Sequence, residues 1–266
     1  MTFSFSQLSM ATGLATGTLL SVFGAGNAFA IGFDFETTFS QNDAPTGDIL
    51  LESVTIGDEI IEEFSFVTAA VINQNGGEIN GGASADKGDT ATTGVAVEDA
   101  AAADIVTNLS NNNLNNIVDT EKQGFFEIDL TFGKVIDNLL IWERGGTGET
   151  YGNSDLKIQA LDAAGQLVGN SLTITRDMWF DAGFQIDTTE ISAAQNVGSL
   201  GINIFEDLGV DNAVVDAIRF TSEEEFNGPD WKFVGTDATR VPEPTVFMGL
   251  GLLGGALFLQ KRVKAA

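Results

Sequence analysis

Apolar and polar residues alternate with a period of two along most of this chain, the pattern of strands that bury one face. "IGFDFETTF" sets Ile31, Phe33 and Phe35 on one side, and "GFFEIDLTF" does the same with Phe126, Ile128, Leu130 and Phe132. "GDILLESVTIG", "EEFSFVTAAVIN", "VIDNLLIWE", "WFDAGFQIDTT", "VGSLGINIFED" and "NAVVDAIRFTS" read as further strands, bounded by Gly, Asn and Asp. "LKIQALDAAGQLVGNSLTIT" reads as two strands joined at Asp162-Ala163-Ala164-Gly165, with Gly165 in the left-handed position of a hairpin. Strands that recur every 8 to 15 residues without crossover helices predict a mainly β fold, an antiparallel β-sandwich or jelly roll.

One stretch breaks the pattern. "VAVEDAAAADIVTNLSNNNLNNIV" (95–118) predicts a helix from Val97 to Leu109, because alanine favours helix and acids suit its first turn. The asparagine run after it should end the helix. Before it, Asn73–Gly94 is rich in Gly, Asn, Ser and Thr and reads as a long mobile loop. Residues 73–118 are therefore expected to be an insertion within a β body spanning 31–235, with 236–240 as a linker.

The two ends follow different rules from the body. Residues 1–30 carry no charged side chain, and "LATGTLLSVFGAGNAFA" ends in Ala28-Phe29-Ala30. Small residues at Ala28 and Ala30 suit a signal peptidase, which predicts cleavage before Ile31, with an uncleaved anchor or a core segment as alternatives. At the other end Thr245–Leu259 is an uncharged run of fifteen residues. As a helix it reaches roughly 22 Å, against about 30 Å of bilayer hydrocarbon. Lys261 and Arg262 follow it and should stay cytoplasmic.

Val241-Pro242-Glu243-Pro244, then a short apolar run, then Lys261-Arg262, resembles the PEP-CTERM sorting signal. The resemblance covers about the last 26 residues. It implies export across the inner membrane of a Gram-negative-type bacterium, transient anchoring by a transmembrane helix, and processing by exosortase, a membrane-embedded cysteine protease. It also implies a cell-surface or matrix destination among exopolysaccharide producers. The alternative is an ordinary tail anchor. The motif has a physical logic, since each proline favours extended backbone before it and offers no amide donor. The body pattern from Phe125 to Gly235 is similar to the extracellular domains often joined to such tails. Val215–Phe220 is similar to the last strand of galactose-binding-type jelly rolls.

Charge and absent residues narrow the chemistry. Twelve Lys and Arg face 38 Asp and Glu, a net of −26, and such a surface repels nucleic acid. No Cys and no His are present, which excludes disulfides, cysteine nucleophiles, Ser-His-Asp triads and histidine-bound zinc. Asp207, Asp211, Asn212 and Asp216, with Asp34 or Glu36 beside them, form an oxygen-rich set that suits calcium, or else are solvated turn acids. Glu143 and Glu206 are the candidate glycosidase pair, and Arg144 reads as a surface partner of Glu143. Trp142, Tyr151, Trp179 and Trp231 are the candidates for stacking on sugars, with Tyr151 and Trp179 the better ones, whereas Trp142 reads as core and Trp231 as closing the domain. Three functions follow: a non-enzymatic surface or matrix protein, a carbohydrate-binding or adhesive module, and a glycan-active enzyme. The first is expected, with exosortase and signal peptidase as partners and exopolysaccharide as a further one.

Overall fold

In a computed structural model describing residues 31–76, 81–122, 124–210 and 214–237, alternation in sequence becomes layering in space. Three antiparallel sheets form among the described residues. The first contains β1 (Glu36–Gln41), β2 (Ile49–Ile56) and β3 (Glu59–Ile61). The second has the order β10 (Leu167–Ile174), β9 (Leu156–Leu161), β13 (Ala217–Ser222), β7 (Phe126–Phe132) and β4 (Val67–Asn75). The third runs β11 (Phe180–Ile186), β12 (Gln195–Asn203), β8 (Asn138–Arg144), β14 (Asp230–Thr236), β6 (Asn116–Asp119) and β5 (Ser84–Lys87). The hairpin expected at Asp162–Gly165 joins β9 to β10, with Gly165 at φ +72° and its amide on the Asp162 carbonyl at 2.8 Å.

Two apolar clusters hold the layers together. Leu139, Ile141, Leu200, Ile202, Trp231 and Phe233 of the six-stranded sheet pack with Phe126, Ile128, Leu130, Ile158, Ile218 and Phe220 of the five-stranded sheet. On the opposite face Leu140, Trp142, Val197, Phe184 and Val234 pack with Phe35, Ile49, Leu51 and Val54 beneath the three-stranded sheet. The six-stranded sheet is thus covered on both sides. Every residue of β8 is buried for that reason, both parities included. β7 keeps strict alternation, because its outer face is open. Within the first cluster Trp231 sits 4.4 Å from Phe220 and 4.5 Å from Phe233 between ring centroids; it is core, and the core reading of Trp142 holds.

The insertion departs from expectation. The helix, α1, spans Ala102–Leu109 and not Val97–Leu109. Val97 exchanges both backbone hydrogen bonds with Ala85, at 2.8 and 2.9 Å, and the Ala100 amide donates to Ala83. Asp99 adopts φ +53°. Strand pairing therefore captures the alanine-rich segment before helix can form, and Asp104 caps the start by accepting from the Ala101 amide at 3.0 Å. The stretch 73–94 is no free loop where described, since it contains the end of β4 and all of β5, with Ala83, Ala85 and Asp86 fully buried.

Asparagines in and after the helix do more than end it. Buried Asn108 donates to the carbonyls of Asp86 and Ile117 at 2.9 and 2.8 Å and accepts from the Val95 amide at 2.8 Å. Asn113 accepts from the Ile49 amide, and Asn115 donates to the Gly47 and Pro45 carbonyls. These side chains complete backbone hydrogen bonding where no strand can reach. Lys232, fully buried, donates to the Asn108 and Asn116 carbonyls at 2.8 and 3.3 Å.

The outermost strands are irregular. β4, β10 and β11 each shift register against their neighbour, β4 twice. The free side of β5 is met by Val97. No helix among the described residues is long and apolar enough to cross a membrane. The proposed signal peptide and sorting segment, with Ala28, Ala30, Val241, Pro242, Glu243, Pro244, Lys261 and Arg262, lie outside the described residues.

Replacing Asn108 by Ala leaves several buried backbone groups without partners. Urea unfolding should show a loss on the order of 3 kcal/mol; a loss below about 0.5 kcal/mol would contradict the bridging role.

Candidate functional site

The last residues of β8, Glu143 and Arg144, continue an apolar run into a sheet with no solvent-facing side. Successive side chains point to opposite faces of a strand. Glu143 therefore enters the core beside the five-stranded sheet, and Arg144 enters the other side. They do not form the surface pair expected from sequence. Arg144 is 3% exposed.

Four strands and a loop converge on the guanidinium. Its Nε and Nη2 donate to Asp230 Oδ2 of β14 at 3.0 and 2.7 Å. Nη2 also reaches Asp119 Oδ2 of β6 at 3.2 Å, and Nη1 reaches Asp86 Oδ2 of β5 at 3.1 Å. The remaining Nη1 donor goes to the Thr188 hydroxyl. A guanidinium has five N–H donors, and all five are matched here. Burial works against the charge, but Asp230, Asp119 and Asp86 outweigh it and hold Arg144 protonated well above its ordinary range.

Carboxylates outnumber the one cation, which disfavours the charged form of some of them. Asp119 is raised well above the usual range, first by burial and then by the charge of Asp230 and a hydrogen bond to it. Glu190 lies at the solvent edge, yet enough protein surrounds its carboxyl to push it up to about 7. Burial is the main cause, followed by Asp86, against hydrogen bonds from Asp119 and Ser84. Glu121 is raised by burial, then by Glu98 and Asp230. A pocket of about 290 Å³ lined by Ala96, Val97, Glu98, Thr189 and Glu190 opens over this cluster. Thr189 closes its floor, its hydroxyl 2.8 Å from Asp86 Oδ1. The arrangement is a proton-holding ion-pair lock that ties β5, β6, β8 and β14 to the segment after β11. With every guanidinium donor matched, Arg144 has none to offer an anionic ligand.

Glu143 is sealed completely. Its Oε2 accepts from the Asn153 amide at 2.9 Å, while Oε1 meets no partner. Burial, then the charge of Asp230, raises it well above the usual range, against the Asn153 hydrogen bond. Gly152 lies against it at φ +68°, where an added Cβ would stand 2.5 Å from Trp179 and 2.7 Å from Glu143 Oε2. Glu206 is exposed in the turn after β12. Gly198 pairs with Glu143 and Asn203 with Asn138. Five residues of β8 therefore separate the two acids' ends of the sheet, roughly 17 Å at 3.3–3.4 Å per residue. Glu143 and Glu206 are not a glycosidase pair, which needs about 5–9.5 Å.

The other sequence candidates fall in three places. Trp179 is 8% exposed, packs in the first apolar cluster and donates from Nε1 to the Ser154 carbonyl at 2.9 Å. It is core, not a stacking platform. Tyr151 is half-buried at the rim, where the nearby charge of Asp181, more than its partial burial, raises the phenol. Asp207 uses both oxygens on backbone amides, Gly32 at 3.2 Å and Asn203 at 2.7 Å. The terminal segment does come to Asp207, as the calcium reading required, but Gly32 reaches it through an amide. Asp216 offers its carbonyl to the Phe132 amide, and Asp211 and Asn212 lie outside the described residues. Among the described residues no group of three or more acids is disposed to hold a metal ion.

No protein-family model and no curated protein matches the chain. Among solved structures it is similar to the enzymatically active domain of tailspike protein 4 from bacteriophage CBA120, at 14% identity and a TM-score of 0.26. That match covers 45% of this chain and 15% of the other, and a likeness so slight carries no argument.

Replacing Arg144 by Leu removes the partner of three enclosed carboxylates. Stability at pH 7 should fall by about 3–5 kcal/mol, with a smaller deficit in acid as the orphaned groups take up protons; an equal deficit at all pH would refute the lock. Glu190 binds its proton more tightly folded than unfolded, with a folded value near 7 against an ordinary 4.5. Its contribution is full below pH 4.5 and disappears as pH rises through 7. Glu190→Gln should therefore flatten the fall in melting temperature across that window.

Proposed function

We propose that this chain is an exported, non-enzymatic cell-surface or matrix protein. Its acidic β-sandwich body, of jelly-roll type, is carried out by residues 1–30 and released or attached through the Pro242-Glu243-Pro244 tail by exosortase. The observation that carries the non-enzymatic part is the placement of the acids. Glu143 is sealed within the core, Glu206 sits at the far end of the sheet, and Asp86, Asp119 and Asp230 are engaged by Arg144. The tail sequence supports the sorting part.

A carbohydrate-binding role in the extracellular polysaccharide is the second reading. It is supported by the open outer face of the five-stranded sheet, where ion pairs and amides stand among exposed apolar side chains. Calcium is not needed for either reading.

Intact-mass measurement of the protein from its native cell envelope tests the first proposal. A species beginning at Ile31 and ending near Pro244, with or without an added group, is expected. A mass equal to residues 31–266 would overturn the sorting step.

A further inference from the structure

The five-stranded sheet is an outer layer, and its outer face is not covered by another sheet. Its outward residues lie in rows that cross the strands. Glu127 of β7, Thr221 of β13 and Lys157 of β9 stand in register, and so do Asp129, Arg219 and Gln159. An exposed antiparallel face is ordinarily polar, so polarity alone means little. Three further features distinguish this one.

The first is how the cations are used. The body is strongly acidic, and two of its Lys and Arg residues, Arg144 and Lys232, are enclosed. Lys157 and Arg219 stand in the middle of this face. Both are neutralised, Lys157 by Glu223 and Arg219 by Asp129 at 2.6 Å and Glu127 at 3.0 Å. The second is shape. A trough of about 220 Å³ runs over these pairs, smaller than the roughly 300–1,000 Å³ of an enclosing ligand site. It suits a ligand that lies along the surface. The third is the rim, where Phe125 is 38% and Leu167 47% exposed.

We infer that this trough binds an extended, uncharged polysaccharide. The inference rests on the carbohydrate-binding reading above and assigns it a site and a ligand class. Neutralised ion pairs offer alternating donors and acceptors that match sugar hydroxyls, and Gln159, whose Nε2 donates to the Gly169 carbonyl at 3.0 Å, keeps its Oε1 and second N–H for a ligand. Phe125 offers an apolar surface to the C–H face of a ring. A polyanion meets no unpaired cation here and a net charge of −26 in the chain as a whole. An apolar peptide finds only two separate side chains. Neighbouring strands lie about 4.8 Å apart, close to the length of one pyranose ring, so consecutive sugars would meet consecutive strands.

Affinity electrophoresis of the full chain tests this, with galactomannan, hydroxyethyl cellulose or dextran in the gel as neutral probes and alginate as the anionic one. Retardation by at least one neutral polymer, and none by alginate, is expected. Phe125→Ala and Gln159→Ala should each weaken it about tenfold at unchanged melting temperature, while Tyr151→Ala leaves it unchanged. Retardation that survives both substitutions would move the site elsewhere and leave the carbohydrate reading standing. Retardation by alginate alone would overturn the ligand class. No retardation by any polymer would sink the carbohydrate reading and this inference together.

Discussion

The central strands of the six-stranded sheet lie between two other layers, so polar side chains there depend on partners inside the protein, because an unmatched buried group is costly. The rest of the molecule is arranged around that constraint. Arg144 enters from the central strand and is met by an aspartate from each of three other strands. Lys232 enters from β14 and is met by the carbonyls of Asn108 and Asn116. The three-stranded sheet covers the far face, while β5 and β6 extend the six-stranded sheet itself and α1 packs in the first cluster. Hydrophobic burial supplies most of the attraction between layers, but the ion-pair cluster and the asparagines set the register.

A buried cluster with more carboxylates than cations resists full ionisation. Asp119, Glu143 and Glu190 hold their protons to higher pH than free carboxyls because burial and neighbouring carboxylates make the charged forms unfavourable. Burial and neighbouring charge are thus sufficient causes of the raised values. Perturbed carboxyls often mark active sites; here Glu143 is fully buried and Asp119 lies against a guanidinium whose donors are all matched.

Strand content was legible because alternation is a local property. β7 and the β9–β10 hairpin follow directly from the residues that form them. The third layer was not legible, although it left a trace: "NLLIWER" is apolar at both parities, as a doubly covered strand must be. That trace also marked Glu143 and Arg144 as interior. Their partners Asp86, Asp119 and Asp230 lie 25 to 86 residues away from Arg144, and nothing local in "SADK" or "GPDW" announces them. The helix was overestimated for a similar reason. Alanine propensity favours helix from Val97, but pairing with Ala85, a contact between segments, takes priority. Trp179 was misjudged because charged neighbours in sequence, Arg176 and Asp177, say little about a side chain that turns inward over Gly152.

Broken register in β4, β10 and β11 has a consequence for how copies of the chain meet at high concentration. A regular outer strand is a template onto which another chain can add its own backbone. Here each such template is interrupted within a few residues, and β5 is already occupied by Val97. Copies of the chain can therefore be crowded together with less tendency to zip edge to edge into fibres.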